Sequence, residues 1–484
     1  MKRMKHNASR TMVALVTAAG IAMAGAACSS SSSSGKSGKT GSTNAADGVA
    51  DGKPLDPNAT VTITIDGAPG ADQAANKASY ADDLQAFKIM YPNVTVNAKP
   101  YVGQVEDPAQ FTASLKAKNE TEAFHAYFTD KNQVLDSGDT TDISAYVNDQ
   151  TVPGWSQLLP GVKQNLQDSG KTYSLPINYY TEGLIYNRDL FTKAGLDPNK
   201  PPTTWDEVEA DAAKISALGG GVTGYEDYSG GNTGGWHFAG ELDSLGGQMV
   251  NSDGTKAAFN SDQGKQVLQR LHDMRFKDNG IGPTPVTQWA DAFPPLATSK
   301  VGMFLGAPDV IQHLVEVLGA NPKLYGMGPI PGASGPATGT LAGGDLYYFK
   351  KGLTPNQIKA EIAWISFEYL TPGKGQFDFA RSKALAAPDK PVAIGIPQKF
   401  FWAPSSAQMT QVQTDLKTSA TLPIDQYADF VNNPIAPVLE PPAAQQLYKV
   451  LDTAMSAAMT NANADPAKLL STAETQVNQI LANQ

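Results

Sequence analysis

Hydrophobic and polar residues alternate along much of the chain with the two periods that distinguish strands from helices. Short apolar runs rich in β-branched or aromatic residues predict strands at 61–65, 93–96 and 124–128. Between the first two runs, apolar residues recur at helical spacing over 80–87, and Pro92 ends that pattern. The chain therefore begins its folded part as strand, helix and strand.

Three later helices are predicted from their first residues. Thr204, with Glu207 three positions on, fits a capping box. Thr354 and Asp465 each precede a proline, the pattern of an N-cap followed by proline at the first helical position. Apolar residues follow each start at helical spacing. This repeated alternation of strands and helices predicts an α/β fold with largely parallel sheets.

Composition narrows the class of protein. A chain of 484 residues with 41% hydrophobic residues predicts two or three domains with sizeable cores. The formal net charge of −10 argues against binding to nucleic-acid phosphates. A single cysteine excludes a disulfide framework and a cysteine-based structural zinc site.

The N-terminal segment has the pattern of an export signal. The first ten residues carry four basic side chains and no acidic one, and an apolar run follows at 11–27, which predicts a signal peptide over 1–27. The Gly-Ala-Ala-Cys sequence ending at Cys28 resembles a bacterial lipobox, in which the cysteine becomes lipidated. Ordinary cleavage with an incidental cysteine is the alternative. Residues 28–58, rich in serine and glycine, predict a flexible tether behind the lipid anchor.

Motifs for covalent catalysis are missing from the sequence. It contains no His-x-x-x-His pair, no Gly-x-Ser-x-Gly elbow and no dinucleotide-binding Gly-x-Gly-x-x-Gly after a strand. His237 follows a glycine-rich loop and has two interpretations, as a ligand contact or as a loop or core histidine. Paired carboxylates of a glycoside hydrolase are not recognisable from sequence, because they meet only in space.

Several aromatic residues occur in Gly- or Pro-rich contexts instead of at core spacing. Flat rings cover the apolar C–H faces of sugars, while Asp, Asn and Lys bind the hydroxyl groups. Core or interdomain packing is the alternative for each ring. The candidate stacking residues are Tyr179, Tyr180, Trp236, Trp289 and Trp402.

Several segments together resemble the family 1 extracellular solute-binding proteins of bacterial ABC importers, the sugar-binding group that includes maltose-binding proteins. Gly-Lys-x-Tyr-x-x-Pro at 170–176, Tyr-Asn-Arg-Asp-Leu-Phe at 186–191 and Thr-Trp-Asp-Glu at 204–207 match this family in order. The resemblance covers about 60–484. Weaker matching segments lie at 194–196, 245–247, 300–303 and 341–344.

The resemblance implies a two-lobed periplasmic-binding-protein-like fold of type II. Each lobe would be a mixed, mainly parallel sheet flanked by helices, with the ligand cleft between the lobes. The N-terminal lobe is expected at 59–177 plus 329–372, and the C-terminal lobe at 178–328 plus 373–484. Crossing segments are expected near 176–180, near 329–331 and after the helix that ends near Leu370.

The resemblance also implies ligand-binding residues, one position at a time. Asp130 and Lys131 fall where the family has an acid and a base that bind sugar hydroxyls. The family's stacking tryptophan is absent near Gly306, where Asp309 offers an acceptor, and Trp289 or Trp402 is expected to replace the ring. The other implied contacts are Asp72, Tyr179, Tyr180, Trp236, Gly344 and Asp345.

Together these features predict a substrate-binding lipoprotein on the extracellular face of the cell membrane. It would capture a carbohydrate, expected to be a short oligosaccharide, and deliver it to the membrane subunits of an ABC permease. The expected protein is a monomer, is not an enzyme, and uses no cofactor or metal. Alternative ligands are a phosphorylated polyol or a peptide, and the alternative class is a secreted sugar-active hydrolase.

Overall fold

The structure, a computed structural model, describes residues 48–69, 74–101, 108–285, 288–386, 391–433 and 435–483. Its strands are β1 (Val61–Ile65), β2 (Val94–Ala98), β3 (Ala123–Tyr127), β4 (Gln167–Asp168), β5 (Lys171–Thr172), β6 (Ser174–Thr181), β7 (Gly183–Asn187), β8 (Thr223–Glu226), β9 (Val301–Gly306), β10 (Tyr325–Pro329), β11 (Gly339–Phe349) and β12 (Ala436–Leu439).

The helices connect these strands and follow the last of them. They are α1 (Ala74–Met90), α2 (Pro108–Ala117), α3 (Lys131–Asp136), α4 (Pro160–Leu166), α5 (Arg188–Lys193), α6 (Trp205–Ser216), α7 (Thr233–Ser244), α8 (Asp262–Phe276), α9 (Phe293–Ala297), α10 (Asp309–Glu316), α11 (Pro355–Tyr369), α12 (Phe379–Leu385), α13 (Ala407–Ser419), α14 (Ala428–Asn432), α15 (Ala444–Thr460) and α16 (Pro466–Leu481).

The predicted helix starts are confirmed. The Thr204 hydroxyl accepts the Glu207 amide and the Glu207 carboxylate accepts the Thr204 amide, which completes the capping box of α6. Thr354 caps α11 and Asp465 caps α16, each with proline as the next residue. These side chains satisfy backbone amides that have no partner within the helix.

The first sheet has the order β12-β11-β3-β1-β2, with β6 also paired to β11. The pairs β1–β2, β1–β3 and β11–β12 are parallel, whereas β11 runs antiparallel to β3 and β6. Its core is aromatic: Trp364 of α11 is fully buried and meets Phe87 of α1 edge to face at 5.2 Å between ring centroids. This geometry is favourable for aromatic pairs.

The second sheet has the order β10-β7-β9-β8. Here β7 is antiparallel to both β10 and β9, and only β8–β9 is parallel. The prediction of mixed sheets is confirmed, but the prediction that parallel pairs dominate is wrong for this sheet. The reason is that β7 and β10 are the strands through which the chain enters and leaves the sheet, so they run in opposite directions.

The chain crosses between the two sheets at short segments. β6 of the first sheet ends at Thr181 and β7 of the second begins at Gly183, so the single residue Glu182 separates them. The return runs from β10 to β11 over 330–338. The first crossing thus lies just beyond the predicted 176–180, and the second begins within the predicted 329–331.

The segment after α11 differs from the expected third crossing. Phe377, Trp402 and Val412 are buried in the core of the first sheet, although 373–484 was assigned to the other lobe. Ala393 already lies in a core of the second sheet, and Leu422 and Tyr427 lie in that same core after the chain has returned to the first. Apolar spacing identifies a buried residue but not which of two cores buries it, so the lobe bounds stay a prediction.

A buried polar cluster lies below the first crossing. His237 of α7 is fully buried, its Nδ1 contacts Asp227, and its Nε2 lies 3.8 Å from the Glu182 carboxylate. Burial lowers the pKa of His237 to about 3, so the ring is neutral. Glu241 of the same helix pairs with Arg270 of α8. His237 is therefore a core histidine, which is the second of the two interpretations drawn from the sequence.

Buried acids that have no charged base beside them among the described residues make stability depend on pH. Burial raises the pKa of Asp243 to about 8 and that of Glu182 and Glu361 well above the usual range. The folded protein therefore holds protons that the unfolded chain has already released at neutral pH. Stability should fall as pH rises towards these folded pKa values.

We expect the melting temperature to be lower at pH 8.5 than at pH 6.5 by about 3 °C or more, because each tenfold difference in proton affinity corresponds to about 1.4 kcal/mol. Differential scanning calorimetry measures this directly. Asp243→Asn should flatten the pH dependence, since the amide carries no titrating proton. A melting temperature that rises between these pH values would contradict the expectation.

Candidate ligand-binding cleft

Two of the predicted aromatic residues meet where the chain crosses between the sheets. Tyr180 is the second-last residue of β6 in the first sheet, and Trp236 lies on α7, against the core of the second sheet. Their ring centroids are 6.4 Å apart with planes inclined by 68°. Both side chains are half-buried, so part of each side-chain surface remains exposed.

Two glycines of β11 make room for the first of these rings. Gly343 pairs with Tyr180 across the sheet, and Gly344 pairs with Tyr179. A Cβ built on Gly343 would lie 2.6 Å from Cε2 of the Tyr180 ring, which real side chains do not tolerate. The absent side chain at 343 therefore lets the Tyr180 ring lie across β11.

Gly343→Ala should displace Tyr180 and weaken ligand binding by about tenfold while leaving the fold intact, because only one partly exposed ring has to move. Near-ultraviolet circular dichroism reports the displaced tyrosine, and calorimetry reports the affinity. Gly339→Ala is the matched control in the same strand, since a Cβ there meets its nearest atom at an ordinary 3.4 Å. Equal affinities of the two variants would remove Tyr180 from the site.

Asp345 of β11 is the central carboxyl of this region. His125 of β3 contacts it through Nε2, and the Asp345 backbone N–H donates to the Asn178 side-chain oxygen at 3.1 Å. Although burial opposes a charged imidazole, the neighbouring Asp345 carboxylate raises the pKa of His125 above its usual value. His125 thus partly compensates the charge of Asp345, and the hydrogen bond to Asn178 fixes the Asp345 backbone.

Three further carboxyls interact with Asp345. Burial raises the pKa of Asp130 to about 6 and that of Glu440 to about 8, and the Asp345 charge adds to both shifts. Asp309 has an exposed side chain, yet desolvation by the surrounding residues and the Asp345 charge raise its pKa as well. Asp130 accepts the Tyr127 backbone amide at 3.0 Å, and Glu440 accepts the Tyr448 hydroxyl at 3.1 Å. Asp345 thus acts electrostatically on three carboxyls that come from separate parts of the chain.

We refer to Tyr180, Trp236, Asp130, Asp309, Asp345 and Glu440 as the cleft cluster. Burial raises the pKa of Tyr180 well above its usual value, and Asp345, Glu440 and Asp309 each add to that shift. The cluster therefore joins rings and carboxyls from both sheets. Rings with polar side chains around them suit a ligand with an apolar face and a polar rim.

Three of the other predicted contacts have different surroundings. Tyr179 is 6% exposed and packs in the core of the first sheet, because neighbouring residues of a strand face opposite sides. Trp402 is 2% exposed beside Phe401, which leaves almost no ring surface for a ligand. The Lys131 ammonium donates to the Gln164 and Gln167 carbonyl oxygens at 2.7 and 2.6 Å.

Trp289 is 37% exposed, with Phe293 and His313 as its ring neighbours at 4.4 and 5.4 Å. No contact joins it to the cleft cluster within the described ranges. Gly344 of β11 lies against the Phe128 ring, and the absent side chain allows the strand and this ring to pack closely. Asp72 and Cys28 lie outside the described residues, and their predicted roles stay predictions.

Sequence reasoning missed Glu440 and the tyrosine Tyr228. Glu440 follows the short strand β12, where no motif singles it out. Tyr228 is 1% exposed with an unpartnered hydroxyl, and Asp309 is the charge that acts on it most. A proline-rich strand end and an isolated tyrosine carry no local signal of a site, because their neighbours come from distant segments.

Two mixed sheets joined by short crossings, with side chains of both meeting at the first crossing, define the class of two-lobed α/β binding proteins. The family model for bacterial extracellular solute-binding proteins matches residues 67–365. The chain belongs to that family.

Individual relatives agree with this membership. A binding protein of Brucella abortus (strain 2308) is 32% identical over 266 residues, 48% of this chain and 60% of that protein. The sn-glycerol-3-phosphate-binding periplasmic protein of Yersinia pestis (strain Antiqua) is 37% identical over 134 residues, 25% of this chain and 29% of that protein. The chain thus matches less than two thirds of either relative's length.

A solved structure supports the fold over most of the chain. The cyclic α-maltosyl-1,6-maltose binding protein of Arthrobacter globiformis has a TM-score of 0.64 and 21% identity, covering 88% of this chain and 100% of that chain. At this identity the similarity establishes the fold.

Across the described ranges, no helix has both the length and the apolar character to cross a membrane. Nor do the His, Cys, Asp and Glu side chains there form a group of three that could hold a metal ion.

Proposed function

We propose that this protein is the carbohydrate receptor of a bacterial ABC importer. It captures a short oligosaccharide between its lobes and delivers it to the membrane subunits of the permease as a monomer. The observation that carries the proposal is the pair of half-buried rings, Tyr180 and Trp236, surrounded by carboxyls. Sugars have the matching chemistry, with C–H faces for the rings and hydroxyl donors for the carboxylates.

The position of this pair supports a mechanism of capture by closure. Tyr180 lies two residues before the crossing at Glu182, and Trp236 belongs to the helix packed below it. A ligand between the rings would therefore contact elements attached to both sheets. Closure follows when the ligand binds the closed arrangement better than the open one.

A phosphorylated polyol is the alternative suggested by the Yersinia relative, which is named for binding sn-glycerol 3-phosphate. Phosphate sites use arginine forks or helix N-termini. Among the described residues, no lysine or arginine acts on Asp130, Asp309 or Glu440. The carboxyl-rich surroundings therefore favour an unphosphorylated carbohydrate.

A lipid anchor at Cys28 would hold this receptor at the extracellular face of the membrane, on the tether of residues 28–58. Cys28→Ser should release the protein from the membrane fraction into the medium, because a serine cannot accept the thioether-linked lipid. Fractionation with an antibody measures the distribution. Ser30→Ala, a neighbour without a thiol, is the control that should stay membrane-bound. Equal membrane association of Cys28→Ser would exclude the anchor.

The test of function is a thermal-shift screen of the purified full chain against mono- and oligosaccharides, followed by calorimetry. A ligand at 100 times its dissociation constant stabilises the folded protein by about 2.7 kcal/mol. Saturable stabilisation by a saccharide supports the receptor. Stabilisation by a phosphorylated polyol or a peptide alone would replace carbohydrate as the ligand class, and conversion of the sugar would identify a hydrolase instead.

A further inference from the structure

A groove runs along one side of α11 and contains none of the cleft-cluster residues. Five residues of that helix, spaced so that they share one face, form its floor: Lys359, Ile362, Ala363, Ser366 and Phe367. Trp364, on the opposite face, is buried in the core of the first sheet. The groove has a volume of about 200 Å³, below the roughly 300–1,000 Å³ of sites for drug-sized ligands, so it suits a small headgroup.

The walls of the groove are mainly apolar and fixed in the fold. Leu55 of the segment before β1, Tyr91 beyond the end of α1 and Tyr146 line it together with the floor. Leu55 and Tyr146 are buried in the core of the first sheet. The Asn148 side-chain amide donates to the Gly52 carbonyl oxygen at 2.7 Å, which holds the segment before β1 in place. The groove is therefore a defined feature of this part of the fold.

The groove is positively charged in an acidic protein. Lys53, Lys359 and Lys374 line it, and no Asp or Glu of the described residues does. Asp51, two residues before Lys53, lies 2.6 Å from the Lys359 ammonium and 3.7 Å from that of Lys53, so one carboxylate faces two lysines. The whole chain carries a formal net charge of −10. A local excess of positive charge on such a chain favours an anionic ligand.

Lys374 forms no ion pair among the described residues. Its ammonium lies 3.2 Å from the Met90 sulfur and 5.7 Å from the centre of the Phe367 ring, and both of these groups are neutral. An anion in the groove would therefore meet this ammonium without breaking an existing ion pair. Hydrogen bonds between an ammonium and an anion are stronger than those between neutral groups.

Apolar side chains are exposed at the same groove. Ile89 is 84% exposed, and Met90, which lines the groove, is 40% exposed. Both end α1, directly after Lys88. Exposed apolar side chains beside lysines are typical of a membrane-contacting surface, where the apolar groups enter the lipid boundary and the lysines meet phosphate. A dissolved anion such as free phosphate would leave these apolar side chains in water.

The tether reaches the folded body beside this groove. Gly48 packs so closely against Asn356 that a Cβ built on it would lie 2.2 Å from the side-chain oxygen, and Asn356 is less than one turn before Lys359. Twenty residues, 28–47, separate Gly48 from the start of the predicted anchor. At 3.3–3.6 Å per residue they span at most about 70 Å, so an anchor at Cys28 keeps the groove near the membrane.

From this arrangement we propose that the groove binds the headgroup of an anionic phospholipid. Lys374, Lys359 and Lys53 surround the phosphate, while Ile89 and Met90 enter the lipid boundary. The contact holds the body of the protein against the membrane, so that the tether is not its sole attachment. This inference goes beyond the proposed carbohydrate function, because it concerns a separate surface and a separate ligand.

The first test uses phospholipids that stay dissolved. The probes are dihexanoyl phosphatidylglycerol and dihexanoyl phosphatidylcholine below the concentration at which they form micelles, added to the purified full chain at pH 7. We expect phosphatidylglycerol to bind about tenfold tighter in calorimetry, because its net charge is negative and that of phosphatidylcholine is zero. Its affinity should fall about threefold or more between 20 and 200 mM NaCl, because salt screens charge attraction.

Variants assign this binding to the groove. Lys374→Glu combined with Lys53→Glu should weaken phosphatidylglycerol binding about tenfold or more, because two attractive charges become repulsive. Lys449→Glu is the matched control, since Lys449 is exposed on α15 and does not line the groove. Each variant keeps residues 1–27, so any lipid contact of that segment is common to all samples. Melting temperatures without lipid show whether the variants are folded.

Vesicles test the part played by the exposed apolar residues. The full chain should sediment with vesicles of equal parts phosphatidylglycerol and phosphatidylcholine more than with phosphatidylcholine alone. Ile89→Asn should reduce this binding, because an amide does not favour the lipid boundary. It leaves the three lysines in place, so poor folding of the charge-reversed variant does not block the test.

Several outcomes would overturn the inference. Equal affinity for the two phospholipids, or equal losses in the charge-reversed variant and the Lys449→Glu control, would exclude an anionic headgroup from the groove. Glycerol 1-phosphate binding as tightly as phosphatidylglycerol would make the groove a site for free phosphate, and tighter binding of hexaglutamate would indicate an acidic peptide. None of these results bears on the saccharide screen, and a failed saccharide screen leaves this inference intact, because the groove and the cleft cluster share no residue.

Discussion

Trp236→Ala is expected to weaken binding of the saccharide identified by the thermal-shift screen by about 100-fold. The indole is half-buried on α7, with its ring centroid 6.4 Å from that of Tyr180, so part of its surface is available for a sugar. Removing a stacked indole forfeits about 2–3 kcal/mol of apolar burial and ring contact, and 2.7 kcal/mol corresponds to 100-fold in affinity. Isothermal titration calorimetry measures the change.

The control for this variant is Trp236→Phe. A phenyl ring keeps a flat face of smaller area, so we expect it to lose less than tenfold in affinity. The melting temperature of both ligand-free variants should stay within a few degrees of the unmodified protein, because the side chain is only partly packed. Unchanged affinity of Trp236→Ala would show that the ligand does not contact this ring.

Arg270→Ala is expected to destabilise the folded protein by about 3–5 kcal/mol, without any direct effect on the cleft cluster. Arg270 is buried, pairs with the fully buried Glu241, and lies 3.9 Å above the Trp205 ring. Its removal leaves the Glu241 carboxylate without the arginine that pairs with it and deletes the cation–π contact. Urea denaturation followed by fluorescence measures the free energy of unfolding.

Arg275→Ala on the same helix is the matched control. Arg275 is only half-buried, 4.9 Å over the Phe276 ring, and should contribute about 1 kcal/mol or less. The double variant Arg270→Ala with Glu241→Gln should recover part of the loss, since the acid no longer needs a counter-charge. Equal destabilisation by the two arginine variants would show that the buried Arg270–Glu241 pair contributes no more to stability than Arg275 does.

The helix starts and strands were predictable because their signals are local. Thr204 and Glu207 satisfy each other's backbone amides within one turn, so the capping box can be recognised from four consecutive residues. The strand Val61–Ile65 alternates buried and more exposed residues, as its sequence does. Family membership could also be recognised from the sequence, because the motifs of the family lie around those local elements.

The proposed binding site was predictable only in part. Tyr180 and Trp236 stood out because glycine- or proline-rich contexts are unusual for core rings, and both belong to the cleft cluster. The same reasoning selected Tyr179 and Trp402, which the fold buries. A pair of adjacent strand residues faces opposite sides, but the sequence alone does not say which side is the core.

The sequence by itself determined the α/β class, the family, the helix boundaries at their caps and an exported N-terminal segment as an expectation. The tertiary structure decided which residues form the site. Asp345 lies 215 positions after Asp130 and 95 positions before Glu440, and its charge acts on both of them in the fold. Local patterns arise from neighbours within a few residues, whereas charge and ring clusters arise from pairings between distant strands, which no local pattern encodes.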